Sequence, residues 1–177
     1  GMVWGRVLRS PHAHARILGI DASAALALPG VLAVVTAEDF LAAPQGDVAS
    51  GESEIASGDL SRNVMAREKV LYHGHAVAAV AATTPRIAAA ALAAIRVDYD
   101  ALPAVLDLDS AMAPGAPLLH EDMFTRGVDP EPLAASNVAA ITTFQRGDLD
   151  AGFAAADTVI EDTWSCPMVH QGYIEPH

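Results

Sequence analysis

The sequence predicts an α+β fold, and three observations point that way. Short strand-like runs outnumber helical ones, and the two kinds are mixed along the chain rather than strictly alternating. One run, His75–Ala82, is apolar on both faces and should be a central strand. One helical start stands out, where Thr84 can cap the free N–H groups and Pro85 occupies the first turn, the place where proline costs least.

The remaining elements follow from local pattern. Residues 3–9 and 14–20 alternate as two strands around Pro11. Asp21 or Ser23 can cap a short helix through Leu28, which Pro29-Gly30 ends. Residues 31–36 read as a buried strand, with Thr36 capping a turn over 37–41. The Gly-, Ser- and Asp-rich stretch 44–63 reads as a long surface loop, a kind uncommon in a compact domain and usually functional or disordered. Residues 69–72 give another strand ahead of the central one. The alanine-rich helix should run from 85 to about 94, followed by a strand at 95–99 and a short helix near 107–112. Residues 113–136, with Pro114, Pro117, Pro130 and Pro132, read as an extended linker. A strand over 137–145, a helix over 148–155 and a long strand over 158–170 complete the pattern.

Composition narrows the class. The chain has 177 residues, 52% hydrophobic and 18% charged, which excludes a disordered tail, a collagen and a coiled coil. Net charge is −12, and all of it lies after residue 97: residues 1–97 hold 8 acidic and 8 basic residues, residues 98–177 hold 14 and 2. That division suggests two segments with different surroundings. An acidic surface argues against nucleic acid and against anionic membrane. Cys166 is the lone cysteine, so no internal disulfide can form. No apolar run reaches the roughly 18 residues of a membrane span, and no signal-peptide pattern opens the chain. A cytoplasmic location is therefore expected. Gly1-Met2 reads as a cleavage scar before an initiator methionine.

Several residue groups could carry chemistry. His12/His14 and His73/His75 are His-x-His pairs, which on a strand would offer two imidazoles to one metal ion. They equally read as loop-edge histidines making hydrogen bonds. A small metal-binding module built on these pairs is the alternative function. Lys69 could be a carrier lysine, but it opens a strand rather than a hairpin tip, which favours a structural role. Asp98/Asp100 and Asp107/Asp109 lack the further oxygens that calcium needs, so solvated charge fits them better. Cys166 lies in a predicted strand, as a buried inert thiol. Phosphate-binding glycine loops and the G-x-S-x-G nucleophile elbow are both missing. The closing stretch His170-Gln171-Gly172-Tyr173-Ile174-Glu175-Pro176-His177 crowds polar groups around a glycine, as either a site-lining loop or a polar chain end.

At this point the sequence resembles a known family. Gly5-Arg6-Val7-Leu8-Arg9-Ser10-Pro11-His12-Ala13-His14-Ala15-Arg16-Ile17 is similar to the opening of the molybdopterin-binding large subunit of the xanthine dehydrogenase/aldehyde oxidase family. The resemblance continues through Leu28-Pro29-Gly30-Val31, the run from Val70 to Val80, and the run from Val97 to Val105. It resumes from Arg146 to Asp157 and closes in Gln171-Gly172-Tyr173-Ile174-Glu175-Pro176-His177. The ending resembles most the branch that contains hydroxybenzoyl-CoA reductase.

The resemblance implies an N-terminal fragment of such a subunit. Its fold would be an α/β-hammerhead domain over 1–110, a linker over 111–136, and over 137–177 the first strands of the molybdenum-cofactor-binding domain. It implies a molybdopterin cofactor, in its dinucleotide form, in the full-length protein. It also implies iron–sulfur and flavin partner subunits or domains. The activity would be hydroxylation of a purine, aldehyde or aromatic substrate, or reductive dehydroxylation of an aromatic CoA thioester. The family places a glutamine beside the metal in the segment aligned with 169–175. Cofactor contact is thereby assigned to Gln171 and Gly172, although counting back from Glu175 lands on Val169. The family's glutamate base lies past residue 177, so this chain alone is expected to be inactive, structural and without bound cofactor.

Overall fold

The computed structural model describes residues 1–40, 46–50, 53–167, 169, 172 and 174, with the side chains of 47–50, 53–56 and 59 left undescribed. The residues divide into a unit of Gly1–Ile141 and a unit of Thr142–His177.

The first unit is built on two small antiparallel sheets. One has the order β1 (Trp4–Arg9), β7 (Ala76–Ala82), β3 (Val31–Thr36). The apolar run is thus the central strand, as its two-faced hydrophobicity predicts. Its inward side chains, Ala78, Val80 and Ala82, pack with Ala25 of α1 (Ser23–Leu26) and with Ala88 and Ala91 of α3 (Pro85–Ala94). Alanine dominates this layer because a methyl group lets a helix lie close on a sheet. Thr84 caps α3, its hydroxyl accepting the Ile87 N–H at 3.2 Å. Thr36 likewise caps a single 3₁₀ turn at Ala37–Asp39. Ahead of α1 the Asp21 carboxylate accepts the Ser23 N–H at 2.9 Å, while the N-cap position itself falls on Ala22.

The second sheet has the order β6 (Lys69–Val70), β2 (Ala15–Asp21), β8 (Arg96–Ala101). Ala15, Ala66, Val70 and Val77 form its core. Val77 belongs to β7, so one strand feeds both cores: its even-numbered residues face α1 and α3, and Val77 points the other way.

The stretch 44–63 is not a plain loop. Its described residues form a hairpin of β4 (Asp47–Ser50) and β5 (Ser53–Ala56), followed by α2 (Ser57–Val64). Short strands rich in Ser, Asp and Glu carry too few apolar residues for periodicity to reveal, and pairing with each other is what makes them strands.

After β8 come α4 (Leu108–Met112), capped by Asp107 with its carboxylate 2.7 Å from the Ser110 N–H, and irregular chain. The strand expected at 137–145 is absent; a single bridge between Arg126 and Ala140 stands there. In the second unit α5 (Leu149–Ala155) forms, its Asp148 cap accepting the Ala151 N–H at 2.9 Å. The described residues of 158–170 form no strand. A strand holds its geometry through a ladder of hydrogen bonds to a neighbouring strand, and the described residues of these two segments have only the pair on either side of Ala140, Arg126 N–H to the Ala139 carbonyl and Ile141 N–H to the Arg126 carbonyl. Ile160 and Trp164 are accordingly 84% and 81% exposed.

Candidate functional site

Chemistry-bearing side chains gather where two turns meet. The chain leaves β1 at Arg9 and turns through Ser10–His14 into β2; a second turn, 71–75, joins β6 to β7. Gly74, at φ +84, makes the tight part of the second turn. The turns interlock through their backbones, the Ser10 N–H donating to the His75 carbonyl and the Gly74 N–H to the Ser10 carbonyl, both at 2.9 Å. Arg9 donates to the Gly74 carbonyl at 2.9 Å, and the buried Ser10 hydroxyl accepts the His12 N–H at 3.0 Å.

Each His-x-His pair has one buried member and one outside the core. His75 is fully buried and stacks on Tyr72 at 4.3 Å between ring centroids. Its Nδ1 accepts the Leu71 N–H at 3.2 Å, which puts the proton of the neutral ring on Nε2. Burial holds its pKa below the usual histidine value; the backbone carbonyls of Arg62 and Asn63 oppose that shift without cancelling it. His14 donates from Nδ1 to the Pro103 carbonyl at 2.8 Å, and its own carbonyl accepts the Leu102 N–H at 3.0 Å. His14 therefore clamps the chain as it leaves β8. His12 meets the edge of the Tyr99 ring at 4.9 Å. Burial raises the Tyr99 pKa, partly offset by the Ser10 hydroxyl.

These positions correct the paired-ligand reading. Both pairs lie in turns, so the same-face rule of a strand does not apply to them. Among the described residues no group of three or more His, Cys, Asp or Glu side chains is placed to hold a metal ion.

A charged cleft of about 420 Å³ lies beside α2 and β6, lined by Arg16, Arg62, Arg67 and Lys69 opposite Glu121 and Asp122. Arg62 donates to both Asp122 oxygens, at 2.9 and 3.0 Å, and holds that carboxyl below the usual range. The Glu121 carboxylate sits 3.6 Å from the Lys69 ammonium and 3.7 Å from Arg16. Lys69 is thus a structural lysine. Sequence reasoning missed this clasp, since its partners are some sixty residues apart.

The other candidates are placed as follows. Asp98 and Asp100 are exposed on β8, and Asp107 is a helix cap. Cys166 is exposed rather than buried, because the strand that would have covered it does not form. Gln171 lies outside the described residues. Gly172 is exposed at φ +67, with open space where a side chain would stand.

The model of the aldehyde oxidase and xanthine dehydrogenase a/b hammerhead domain matches residues 1–103, more than half of the chain. The chain belongs to this family. The hammerhead is thus the two-sheet body described above, through β8. The carbon monoxide dehydrogenase large chain of Afipia carboxidovorans is 38% identical over 185 residues, covering 99% of this chain and 21% of that protein. The nicotinate dehydrogenase large molybdopterin subunit of Eubacterium barkeri is 31% identical, covering 99% of this chain and 36% of that protein. Among solved structures, quinoline 2-oxidoreductase from Pseudomonas putida 86 superposes with a TM-score of 0.72 at 30% identity, over 94% of this chain and 20% of that one. The Cu,Mo-CO dehydrogenase gives a TM-score of 0.63 at 38% identity, over 89% of this chain and 19% of that one. This hammerhead chain spans about a fifth of the length of the first curated relatives it matches.

Proposed function

We propose that the chain is the hammerhead region, with the start of the following domain, of the large subunit of a molybdenum-containing oxidoreductase. The observation behind this is the pairing of near-complete coverage of this chain with about a fifth of its carbon monoxide dehydrogenase relative. The domain division follows the same reading: hammerhead over 1–110, linker over 111–136, and the cofactor-binding domain beginning at 137. Here the hammerhead is a structural support. Its interlocked turns and the Arg62–Asp122 clasp hold the chain where it leaves β8 for the following domain.

Molybdopterin would supply the redox chemistry in the longer polypeptide. The described residues do not form a cradle for it: a Cβ at Gly172 would meet nothing within 4 Å, and no group of three or more His, Cys, Asp or Glu side chains that could hold a metal is present among them. No catalytic step is therefore derived through the cofactor on this chain. Gln171 and Gly172 are proposed as edge contacts to a dinucleotide-form cofactor held chiefly by other residues.

Iron–sulfur and flavin subunits or domains would exchange electrons with it in the cytoplasm. No described helix is long and apolar enough to cross a membrane. The substrate would be a small organic molecule: a purine, aldehyde or aromatic compound for hydroxylation, or an aromatic CoA thioester for reductive dehydroxylation, as in the branch that the terminal residues resemble.

The test compares the purified 177-residue chain with the longer reading frame co-expressed with its small subunits. Elemental analysis should find molybdenum only in the longer product, at about one per chain, and turnover only there. Turnover by the isolated chain would sink the proposal.

A further inference from the structure

The two sheets of the hammerhead differ in their outer faces. On the second sheet the residues that face away from its core are charged and exposed. Arg16 stands opposite Asp100 and Asp21 opposite Arg96, with Asp98 between them along β8. That is the polar face an antiparallel sheet ordinarily turns to water.

The first sheet has no such face. Register sets Gly5 and Val7 of β1 beside Ala81 and Ala79 of β7, and these beside Ala33 and Val35 of β3. All six lie on the side opposite Ala78, Val80 and Ala82, and so away from α1 and α3. None carries a polar side chain, and none belongs to either core. Val77, on the same side of β7, is buried in the second core. Past it the face opens: Gly5, Val7 and Ala33 are exposed, and Val35, Ala79 and Ala81 are half-buried. Small side chains let a neighbour lie close, as α3 does over Ala78 and Ala82 on the inner side. A sheet apolar on both faces is made to be covered on both.

Taking the large-subunit reading as the basis, we propose that this face is covered by an apolar segment of the same polypeptide from beyond residue 177. Two observations select that occupant. The chain matches 21% of its carbon monoxide dehydrogenase relative, so most of that polypeptide has no counterpart here. The patch of six small residues also falls far short of the roughly 800 Å² per partner that a stable complex of separate chains buries. A tethered segment meets the face at high effective concentration and needs less area, which sets aside a second copy and a separate subunit.

The test is thiol accessibility. Ala33→Cys and Val7→Cys on this face, and Asp98→Cys on the polar face, are made in the 177-residue chain and in the longer reading frame, with and without its small subunits. Alkylation by N-ethylmaleimide is followed by mass spectrometry of the peptide holding each new cysteine. All three should react quickly in the 177-residue chain. In the longer polypeptide Asp98→Cys should keep its rate, while Ala33→Cys and Val7→Cys should slow by about tenfold or more, because the cover must open first. That slowing should not depend on the small subunits. Equal rates at Ala33→Cys and Val7→Cys in the two lengths would overturn the proposal, as would equal slowing at Asp98→Cys. So would protection that needs the small subunits, or that the 177-residue chain gains by itself as its concentration rises, since these name a partner subunit or a second copy as the occupant. Molybdenum content of the same preparations reports separately on the large-subunit reading.

Discussion

Arg62 grips both carboxylate oxygens of Asp122, at 2.9 and 3.0 Å, across sixty residues of chain. The contact ties α2 to the stretch that follows the hammerhead. Glu121, one residue earlier, faces Arg16 and Lys69. The two side chains are 40% and 66% exposed, so solvent screens their attraction.

Asp122→Asn should therefore cost little, about 0.5–1 kcal/mol in urea unfolding, and most of that difference should vanish in 1 M salt. Amide exchange over 119–123 should quicken. Arg62 depresses the Asp122 pKa, so the contribution is present above the ordinary carboxylate range and is lost as pH falls through the lowered value. Equal stability of the variant and the parent at low salt would remove the clasp from the account.

His75 gives a second dependence, of the kind set by burial. Its folded pKa lies below the ordinary value of 6.5, so the unfolded chain takes up the proton first. Stability from this group is then full above about pH 6.5 and declines as pH falls toward the folded value. Urea midpoints measured from pH 8 to pH 5 should fall through that window. His75→Gln, whose side-chain oxygen can still accept the Leu71 N–H, should flatten that part of the curve. A His75 ring titrating at or above the ordinary value by NMR contradicts this.

Gly30 is a position where only glycine serves. Its φ is +91, and a Cβ there would lie 2.7 Å from the Thr83 hydroxyl and 2.8 Å from the Ile87 Cδ1. Both neighbours sit at the start of α3, held by the Thr84 cap and by the Thr83 N–H donating to the Gly30 carbonyl at 2.8 Å. Gly30→Ala should destabilise by roughly 1–3 kcal/mol, from left-handed strain plus overpacking. Thermal unfolding reads this as a Tm lower by several degrees. Gly115→Ala, also at positive φ but in open space, should cost only the strain and fall by less.

Local pattern made much of the hammerhead legible. The two-faced apolar run became the central strand, and Thr36 and Thr84, each accepting a free N–H, start the turn and the helix that follow them. These signals are short-range, since a cap acts within one turn and alternation within one strand. The hairpin of β4 and β5 was hidden because its strands exist through pairing rather than through apolar pattern.

The candidate site was legible only as residue types. The two histidine pairs could be seen, but their spacing suggested shared ligands. Turn geometry instead sent His75 into the core against Leu71 and His14 to the Pro103 carbonyl.

The sequence by itself determined the family resemblance, the capped helices and the central strand, because all of these are written in neighbouring residues. Tertiary structure alone decided the tautomers of His14 and His75 and the Arg62–Asp122 grip. Each of those depends on groups far apart in the chain, whose meeting only folding brings about.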